Sequence, residues 1–355
     1  MDKYKIDSHK LNYHIDRLND WVNNAVVYPI YLEVTPTSLC NHRCSFCAID
    51  FLEYKKNFLN TDIFLDFLTE ISESGIKSIM YAGEGEPLIH KQIDQIILST
   101  KQHGIDVALT TNGVFLSRSL SEKIINSVNW IKVSINAGTD KTYAQIHRTK
   151  KQDFEIVINN LRNAAKIRES NHSSCVLGMQ MILLPENQNE AITLARIAKD
   201  IGVDYVVFKP YSQHYFSKTT QYENINYEHY YQMAENLEKL NDSNFNVIFR
   251  LNTMKRWDKQ SKDYDRCLAL PFWSYIDAKG NVWGCSAFLG NEKFRFGNIY
   301  KNSFKEIWEG EKRKELLQWV ENDLNIEKCR VNCRMNNVNY FLWDLKHPPE
   351  HVNFI

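Results

Sequence analysis

From residue 29 to residue 210 the chain alternates short apolar runs with longer amphipathic stretches. This alternation is typical of a parallel α/β sheet or barrel, because parallel strands need a crossover segment, usually a helix, between them. Helices are predicted at 61–74, which begins with a Thr or Asp cap, and at 89–103 and 189–201. The predicted strands are 30–35, 78–81, 106–110, 130–135, 176–184 and 205–209. Six strands are too few for a closed eight-stranded barrel, and chemistry is expected at the carboxyl ends of such strands.

The composition fits a folded protein with a large core. The chain has 355 residues, of which 43% are hydrophobic, enough for one large α/β domain and a smaller module. Lysine plus arginine and aspartate plus glutamate both number 43, so no net charge directs the chain to nucleic acid or an anionic membrane. The apolar stretch 25–34 contains a proline, is too short to span a bilayer and follows no signal peptide. We therefore expect a cytoplasmic protein that binds neither nucleic acid nor membrane.

Seven of the eight cysteines fall into two groups, which in a reducing compartment indicates metal or catalytic ligands. The first group is the C-x3-C-x2-C triplet of Cys40, Cys44 and Cys47. Iron–sulfur clusters are usually held by four thiolates. Three thiolates on a four-iron cluster leave one iron open for a small molecule. A zinc site is the alternative, but the triplet lacks the histidine pattern of a zinc finger.

The spacing and context of this triplet resemble the radical S-adenosylmethionine (radical SAM) enzymes. In that family the amino and carboxylate groups of SAM chelate the open iron of a 4Fe-4S cluster. An electron from the cluster then cleaves SAM, and the resulting 5′-deoxyadenosyl radical removes a hydrogen atom from the substrate. The resemblance implies a partial (β/α)6 barrel of the TIM type. Cys40 follows the first predicted strand, where a loop over the barrel mouth would begin.

A glycine-rich turn after the second predicted strand resembles the family's Gly-Gly-Glu-Pro motif with one residue changed. It reads Gly83-Glu84-Gly85-Glu86-Pro87, and glycines let a backbone approach a ligand closely. The resemblance implies that Glu86 or its neighbouring backbone holds the SAM ammonium. It further implies contacts to the adenine, ribose or methionyl carboxylate from Phe46, Thr111, Asn112, Ser134, Asn136, Arg148 and Gln180. For Arg148 a solvated helix end, and for Gln180 a polar lumen position without a ligand, are the alternatives.

The second cysteine group is Cys267, Cys285, Cys329 and Cys333. It contains a predicted β-hairpin with a Lys-Gly-Asn turn at 279–281 and a predicted helix at 303–320. This arrangement resembles the twitch module, the shortened SPASM domain, and implies one auxiliary 4Fe-4S cluster that carries electrons. An all-cysteine zinc site is the alternative.

The substrate is inferred from weaker signals. Only 39 residues precede Cys40, which disfavours the peptide-binding domain of peptide-modifying relatives. Polar and aromatic residues after the sixth strand are candidate substrate contacts, namely Lys209, Tyr211, Gln213 and His214. The resemblance extends to carbohydrate- or cyclitol-modifying members of the 2-deoxy-scyllo-inosamine dehydrogenase type. It implies dehydrogenation or epimerisation of a sugar, nucleotide sugar or cyclitol, with flavodoxin or ferredoxin as the reducing partner. The remaining Cys175 is expected to be a buried structural thiol rather than a hydrogen donor.

Two other functions stay open on the sequence alone. One is a radical SAM maturase that modifies peptides, and the other is a non-enzymatic iron–sulfur sensor of redox state or SAM. The predicted domains are an N-terminal helical extension (1–28), the radical SAM partial barrel (29–245), a linker (246–265), the twitch or SPASM-like domain (266–340) and a C-terminal tail (341–355). A further helix is predicted at 222–240, followed by a β-like run at 246–251 and a polar stretch at 255–265 that is taken as the inter-domain linker.

Overall fold

A single sheet of ten strands organises the computed structural model, which describes residues 3–354. The strands are β1 (Tyr31–Val34), β2 (Ser78–Tyr81), β3 (Asp106–Thr111), β4 (Trp130–Ser134), β5 (Val176–Ile182), β6 (Tyr205–Lys209), β7 (Asn246–Phe249), β8 (Trp273–Ile276), β9 (Asn281–Trp283) and β10 (Arg295–Asn298). Their spatial order is β10-β9-β8-β1-β2-β3-β4-β5-β6-β7. Neighbours from β8 through β1 to β7 are parallel, and β8-β9-β10 is antiparallel. The predicted α/β partial barrel is thereby confirmed.

Helices connect the parallel strands and cover the outer face of the sheet. They are α1 (Ile15–Val22), α2 (Thr61–Glu73), α3 (Ile93–Gln102), α4 (Arg118–Ile124), α5 (Asp140–His147), α6 (Gln152–Ser170), α7 (Ala191–Ile201), α8 (Tyr231–Glu238), α9 (Leu251–Lys259), α10 (Phe304–Glu309), α11 (Glu311–Asn322) and α12 (Asn336–Lys346). Strand residues such as Leu32 and Ile131 are fully buried in one apolar core with helix residues such as Phe64 and Leu161. Because successive strand residues point to opposite faces, the alternate residues face the lumen of the barrel.

Local chemistry explains where several helices begin and end. The cap of α2 is Asn60, one residue before the predicted Thr or Asp, and its side-chain oxygen accepts from the Ile63 amide at 3.1 Å. The predicted helix at 303–320 is two helices, α10 and α11, separated at Gly310. The backbone of Gly310 is extended, with φ −67° and ψ 154°, so the helical hydrogen-bond ladder is interrupted there.

The segment 246–265, predicted as a linker, contains a strand where the β-like run at 246–251 is predicted and a helix that is not predicted. The strand β7 pairs in parallel with β6 and lengthens the barrel sheet. The helix α9 buries Thr253, Met254 and Trp257 on one face. Its other positions are mostly polar, and this composition suggested a linker. The helix predicted at 222–240 is also shorter, since only Tyr231–Glu238 is α-helical.

The predicted hairpin of the C-terminal region is β8 and β9, and its first strand joins the barrel sheet. Residues Tyr31 and Trp273 are register partners of β1 and β8. In the turn, Gly280 has φ +76°. The Asp277 carboxylate accepts hydrogen bonds from Asn281 and from the Trp283 indole. The C-terminal region therefore continues the sheet of the barrel.

Three smaller features complete the description of the fold. The Cys175 side chain is buried beside the amino-terminal end of β5, as expected for a structural thiol. The helix α12 ends at Lys346, before Pro348 and Pro349. Within residues 3–354, no helix combines the length and apolar content that a membrane crossing needs.

Candidate functional site

The triplet Cys40, Cys44 and Cys47 lies on the loop that leaves the carboxyl end of β1. Burial raises the pKa of all three thiols, that of Cys40 to about 12, and the proximity of Cys40 and Cys47 further raises the pKa of Cys44. Thiolates at this place therefore need a strong positive charge beside them. Iron ions supply such a charge, and the three converging thiols fit a cluster with three protein ligands.

The loop of the triplet is held by its own backbone and by the end of α5. The Arg43 guanidinium donates to the carbonyl oxygens of Cys40 and His42, both at 2.7 Å. The amide of Arg43 donates to the His147 carbonyl at 3.1 Å, and the amide of Ser45 donates to the Ile146 carbonyl at 2.8 Å. The triplet is therefore anchored to the end of α5.

His147 is a neighbour of the triplet that the sequence did not reveal. Its Nε2 lies 2.9 Å from the Ile135 carbonyl oxygen, so this nitrogen carries the hydrogen, and its Nδ1 lies 3.3 Å from the Cys44 sulfur. Burial, and then the nearby His42, lowers the pKa of His147 to about 3. Ligand atoms of His42, Cys44 and His147 lie within 4.8 Å of one another. Because His147 is 103 residues from Cys44, no short motif links them.

Tyr54 is a second neighbour without a sequence signal. Its hydroxyl donates a hydrogen bond to the Cys47 sulfur, and burial, then the charge of Cys47, raises the pKa of this phenol. The Arg43 guanidinium lies 4.2 Å from the centre of the Tyr54 ring. The ring and the guanidinium together shield the outer side of the triplet.

The glycines of the motif at 83–87 allow it to pack directly on the segment before Cys40. A side chain at Gly83, where φ is +107°, would lie 1.9 Å from the Thr35 hydroxyl. A side chain at Gly85 would lie 2.4 Å from the carbonyl oxygens of Thr37 and Leu39. The close approach expected of these glycines is therefore made within the protein, by Gly83 to a side chain and by Gly85 to the backbone.

Glu86 ties the loops after β2 and β3 together. One carboxylate oxygen accepts from the Leu88 amide at 3.1 Å and the Thr111 hydroxyl at 2.5 Å, and the other accepts from the Asn112 amide at 2.7 Å. Burial raises the pKa of Glu86 to about 7, although the hydrogen bonds oppose this rise. These bonds position Thr111 and Asn112 and favour the neighbouring backbone as the group that meets a ligand ammonium.

The other residues of the predicted SAM site gather at the same mouth of the barrel. The side-chain amide of Asn112 donates a hydrogen bond to the side-chain oxygen of Asn41, in the triplet loop, at 2.7 Å. The Gln180 amide lies 3.4 Å from the Ser134 hydroxyl, and the buried Asn136 accepts from the Ile182 amide at 2.7 Å. The structure thus brings residues from β3, β4 and β5 to one edge of the sheet.

Phe46 and Arg148 border this mouth from the triplet side. The Phe46 ring meets the His147 ring edge-on, with 5.7 Å between the ring centres. Arg148 follows α5 with φ +49°, is exposed, and is close enough to lower the pKa of Cys44 against the dominant effect of burial. Within residues 3–354 its guanidinium has no hydrogen bond or ion pair, so it is available to an anionic ligand.

The segment that follows β6, residues 210–222, joins the triplet loop to the C-terminal cysteines; we call it the bridging segment. The Asp50 carboxylate accepts from the Ser217 hydroxyl at 3.0 Å and the Lys218 amide at 2.8 Å. At the other end, the Arg330 guanidinium contacts the hydroxyl and the carbonyl of Ser212, both at 3.3 Å. The bridging segment therefore touches both cysteine regions.

Three of the four candidate substrate residues belong to the bridging segment, and each of them contacts another residue of the protein. The Tyr211 hydroxyl donates to the Gln213 side chain at 2.8 Å. The His214 ring lies 4.8 Å from the Phe51 ring, and its Nε2 lies 3.4 Å from the Ser286 carbonyl. Lys209 is different, because it shares the lumen face of β6 with Tyr205 and Val207. The substrate role of all four stays a prediction.

The second cysteine group lines one cavity in the C-terminal region. Burial is the main cause that raises the pKa of Cys267, Cys285, Cys329 and Cys333, and neighbouring thiols raise the pKa of the first three further. The Ala287 amide lies 3.4 Å from the Cys285 sulfur, and the Asn339 amide lies 3.8 Å from the Cys267 sulfur. Four converging thiols with donors aimed at sulfur fit a cluster with four protein ligands.

Family models match both cysteine regions. The Radical SAM superfamily model matches residues 34–198, and the SPASM model, an iron–sulfur cluster-binding domain, matches residues 267–334. GTP 3′,8-cyclase of Aquifex aeolicus is 29% identical over 48% of this chain and 53% of its own length. The tungsten-containing aldehyde ferredoxin oxidoreductase cofactor-modifying protein of Pyrococcus furiosus is 23% identical over 80% of this chain and 81% of its own length. The chain spans about half the length of the cyclases it matches.

Solved structures show the same fold. Streptococcus suis SuiB bound to its precursor peptide SuiA has a TM-score of 0.64 and 17% identity, over 84% of this chain and 68% of SuiB. The protein anSMEcpe with bound AdoMet has a TM-score of 0.58 and 15% identity, over 90% of this chain and 94% of its own. The domain types and cofactors predicted from the cysteines are therefore confirmed. The chain contains a radical SAM domain followed by a SPASM domain, which imply a SAM-binding 4Fe-4S cluster, SAM and auxiliary iron–sulfur ligation.

Proposed function

We propose that this protein is a radical SAM enzyme that abstracts a hydrogen atom from a sugar, nucleotide sugar or cyclitol. The observation that carries the proposal is the placement of three half-buried thiols at the same barrel mouth as Glu86, Asn112, Ser134 and Gln180. When bound, the 4Fe-4S cluster and SAM would supply the 5′-deoxyadenosyl radical. Cys40, Cys44 and Cys47 would hold the cluster.

The residues of the mouth would bind and orient SAM. Glu86 fixes the loops after β2 and β3, so that backbone groups there meet the ammonium, and Arg148 offers an unpaired cation to the carboxylate. The Phe46 ring closes one side of the site. Phe51 and Phe216, packed on His214, would exclude water from the side of the bridging segment.

The C-terminal thiols are proposed to hold one auxiliary 4Fe-4S cluster for electron transfer. Four protein ligands leave no iron open to a substrate, and the bridging segment connects this region directly to the triplet loop. Such a centre suits either removal of an electron from a substrate radical or delivery of one to the first cluster. An external flavodoxin or ferredoxin would provide the reducing electron.

Peptide modification is the second candidate. It is favoured by the fold shared with SuiB, which was solved with a precursor peptide. The sequence relatives instead include a GTP 3′,8-cyclase and an S-adenosylmethionine-dependent nucleotide dehydratase, which favours a small nucleotide-like substrate. A non-enzymatic sensor of redox state or SAM would bind SAM without cleaving it, but the radical SAM family model and the enzymes among the sequence relatives support an enzyme.

Anaerobic reconstitution followed by SAM turnover tests the proposal. Reconstituted protein is expected to contain about eight irons per chain. Reduced with dithionite, it is expected to release 5′-deoxyadenosine from SAM, and a substrate deuterated at the reacting carbon should transfer deuterium into that product. The panel contains nucleotide sugars, aminocyclitols and a peptide control. Absence of 5′-deoxyadenosine from fully loaded protein with every panel member would contradict the enzymatic function, and deuterium transfer from the peptide alone would favour a maturase.

A further inference from the structure

The lumen of the barrel contains two lysines that the proposed radical chemistry does not use. Lys132 shares the inner face of β4 with Trp130 and Ser134, since Ile131 and Val133 between them are buried on the outer face. Lys209 shares the inner face of β6 with Tyr205 and Val207. Both side chains therefore point into the same interior space.

Neither lysine is neutralised by the protein. Within residues 3–354, the amino groups of Lys132 and Lys209 have no hydrogen bond and no ion pair. The closest favourable contact is the Trp130 ring, whose centre lies 5.4 Å from the Lys132 nitrogen. The ring carries no net charge, so no acidic group of the described residues offsets the charge of either lysine when it is protonated.

Arg250 and Arg330 lie near this pair, and Glu33, an acid of the lumen, is already paired. Arg250 follows β7 and donates to Asp7 at 3.0 Å. Glu33, on the inner face of β1, forms an ion pair with Arg334. Burial lowers the pKa of Lys132 to about 8 and that of Lys209 well below its usual range, and the charge of Arg250 adds to both effects. The lowered pKa values therefore agree with the lack of an acidic partner for either lysine.

Unpaired charges inside a protein are costly, and a bound group of opposite sign removes that cost. The lumen opens at the carboxyl ends of the strands, where the predicted SAM residues lie, so it is the space available to a substrate. Lys132 is two residues before Ser134, which places it roughly 7 Å below that end of β4.

We propose that the substrate carries an anionic group, phosphate or carboxylate, and that Lys132 and Lys209 bind it in the lumen. This inference rests on the proposed function, because it takes the lumen as the substrate site. It favours a nucleotide sugar or another acidic small molecule over a neutral or cationic cyclitol. Lys132 and Lys209 are binding residues, and the hydrogen abstraction occurs at a carbon nearer the mouth.

Calorimetric titration of the reconstituted protein with simple anions tests the inference. Saturating SAM is present throughout, so that the carboxylate of SAM is not the group detected. The probes are pyrophosphate, tricarballylate and neutral myo-inositol. Lys132→Met and Lys209→Met should each weaken binding of the better anion by about 30-fold or more. The control Lys305→Met removes one exposed lysine of α10 and should change affinity less than about threefold.

The outcomes separate the two proposals. Stronger binding of pyrophosphate assigns phosphate to the lumen, and stronger binding of tricarballylate assigns carboxylate. Absence of binding by either anion, equal loss in the Lys305→Met control, or full affinity in both lumen variants would overturn the inference. Lys132→Arg keeps the charge and should retain binding, which separates charge from shape. Failure of the proposed radical function is read independently, from 5′-deoxyadenosine release by the unsubstituted protein.

Discussion

The two cysteine regions differ in what surrounds their sulfur atoms. Around the triplet, the sulfurs of Cys44 and Cys47 contact His147 and Tyr54, and the exposed Arg148 stands at the border. The cavity of the second group is lined largely by apolar side chains, including Leu270, Phe288, Phe294, Leu324 and Ile326. Three donors at an open, polar mouth suit a centre that binds another ligand. Four donors in an apolar cavity suit a centre that only exchanges electrons.

Removing one thiol from each region is the strongest test of this difference. Cys44→Ala should lose about half of the iron and reduce 5′-deoxyadenosine formation to background, because the SAM-binding cluster cannot assemble. Cys333→Ala should also lose about half of the iron but keep SAM cleavage, uncoupled from product formation. Iron analysis and chromatography of 5′-deoxyadenosine measure both effects. Cys175→Ala is the matched control and should retain both clusters. Equal behaviour of Cys44→Ala and Cys333→Ala would contradict the division of roles.

A methyl group at Gly85 should destabilise the region of the cysteine triplet through steric overlap alone. The added carbon would lie 2.4 Å from two carbonyl oxygens of the segment before Cys40, so that this segment must move. We expect a loss of about 2–4 kcal/mol in the free energy of unfolding and a weaker affinity for SAM. Denaturant unfolding and SAM titration measure the two effects. The control Gly104→Ala has φ +74° and no atom within 4 Å of the added carbon, and should cost about 1 kcal/mol.

The charge of Lys132, in the lumen of the barrel, should affect how the stability of the fold depends on pH. The pKa of Lys132 is lowered to about 8 in the folded protein, chiefly by burial, from a usual value of 10.5. Between these values the unfolded chain binds more protons, so the lysine destabilises the fold fully below pH 8 and progressively less as the pH rises. Lys132→Met should therefore be more stable at pH 7, by up to about 3 kcal/mol, and this gain should shrink toward pH 10.

Thermal unfolding of both proteins between pH 7 and pH 10 measures this difference. A gain that is constant across that range would mean that the effect comes from packing of the methionine and not from the charge. Lys305→Met, which replaces an exposed lysine by the same residue, is the control in the same experiment.

The smallest expected effect concerns the hydrogen bond from Tyr54 to Cys47. Tyr54→Phe removes a donor to sulfur, and loss of about 1 kcal/mol of preferential stabilisation of the reduced cluster should lower its reduction potential by roughly 40 mV. Redox titration followed by electron paramagnetic resonance measures the shift. Tyr231→Phe, whose hydroxyl donates to Asp258 at 2.7 Å, is the control. An unchanged potential in Tyr54→Phe would show that this contact does not tune the cluster.

Regular, local patterns made much of the fold predictable. The six predicted barrel strands agree with the structure to within two residues at each end, because alternating apolar runs report burial directly. The polar exposed face of α9 hid its buried Met254 and Trp257 and suggested a linker. Both cysteine groups could be predicted from the spacing of the cysteines in the sequence. The roles of His147, Tyr54 and Lys132 could not be predicted, since they depend on contacts between distant segments.

The pairing of β8 with β1 limits how this chain can be divided. Without β8, the backbone of β1 would become an open edge whose amide and carbonyl groups are free to recruit strands from other molecules. A fragment ending before residue 273 should therefore self-associate instead of folding as an independent barrel. For protein engineering, the barrel and the C-terminal region must therefore be kept together. A different C-terminal module can be grafted onto this barrel only if it supplies its own strand to pair with β1.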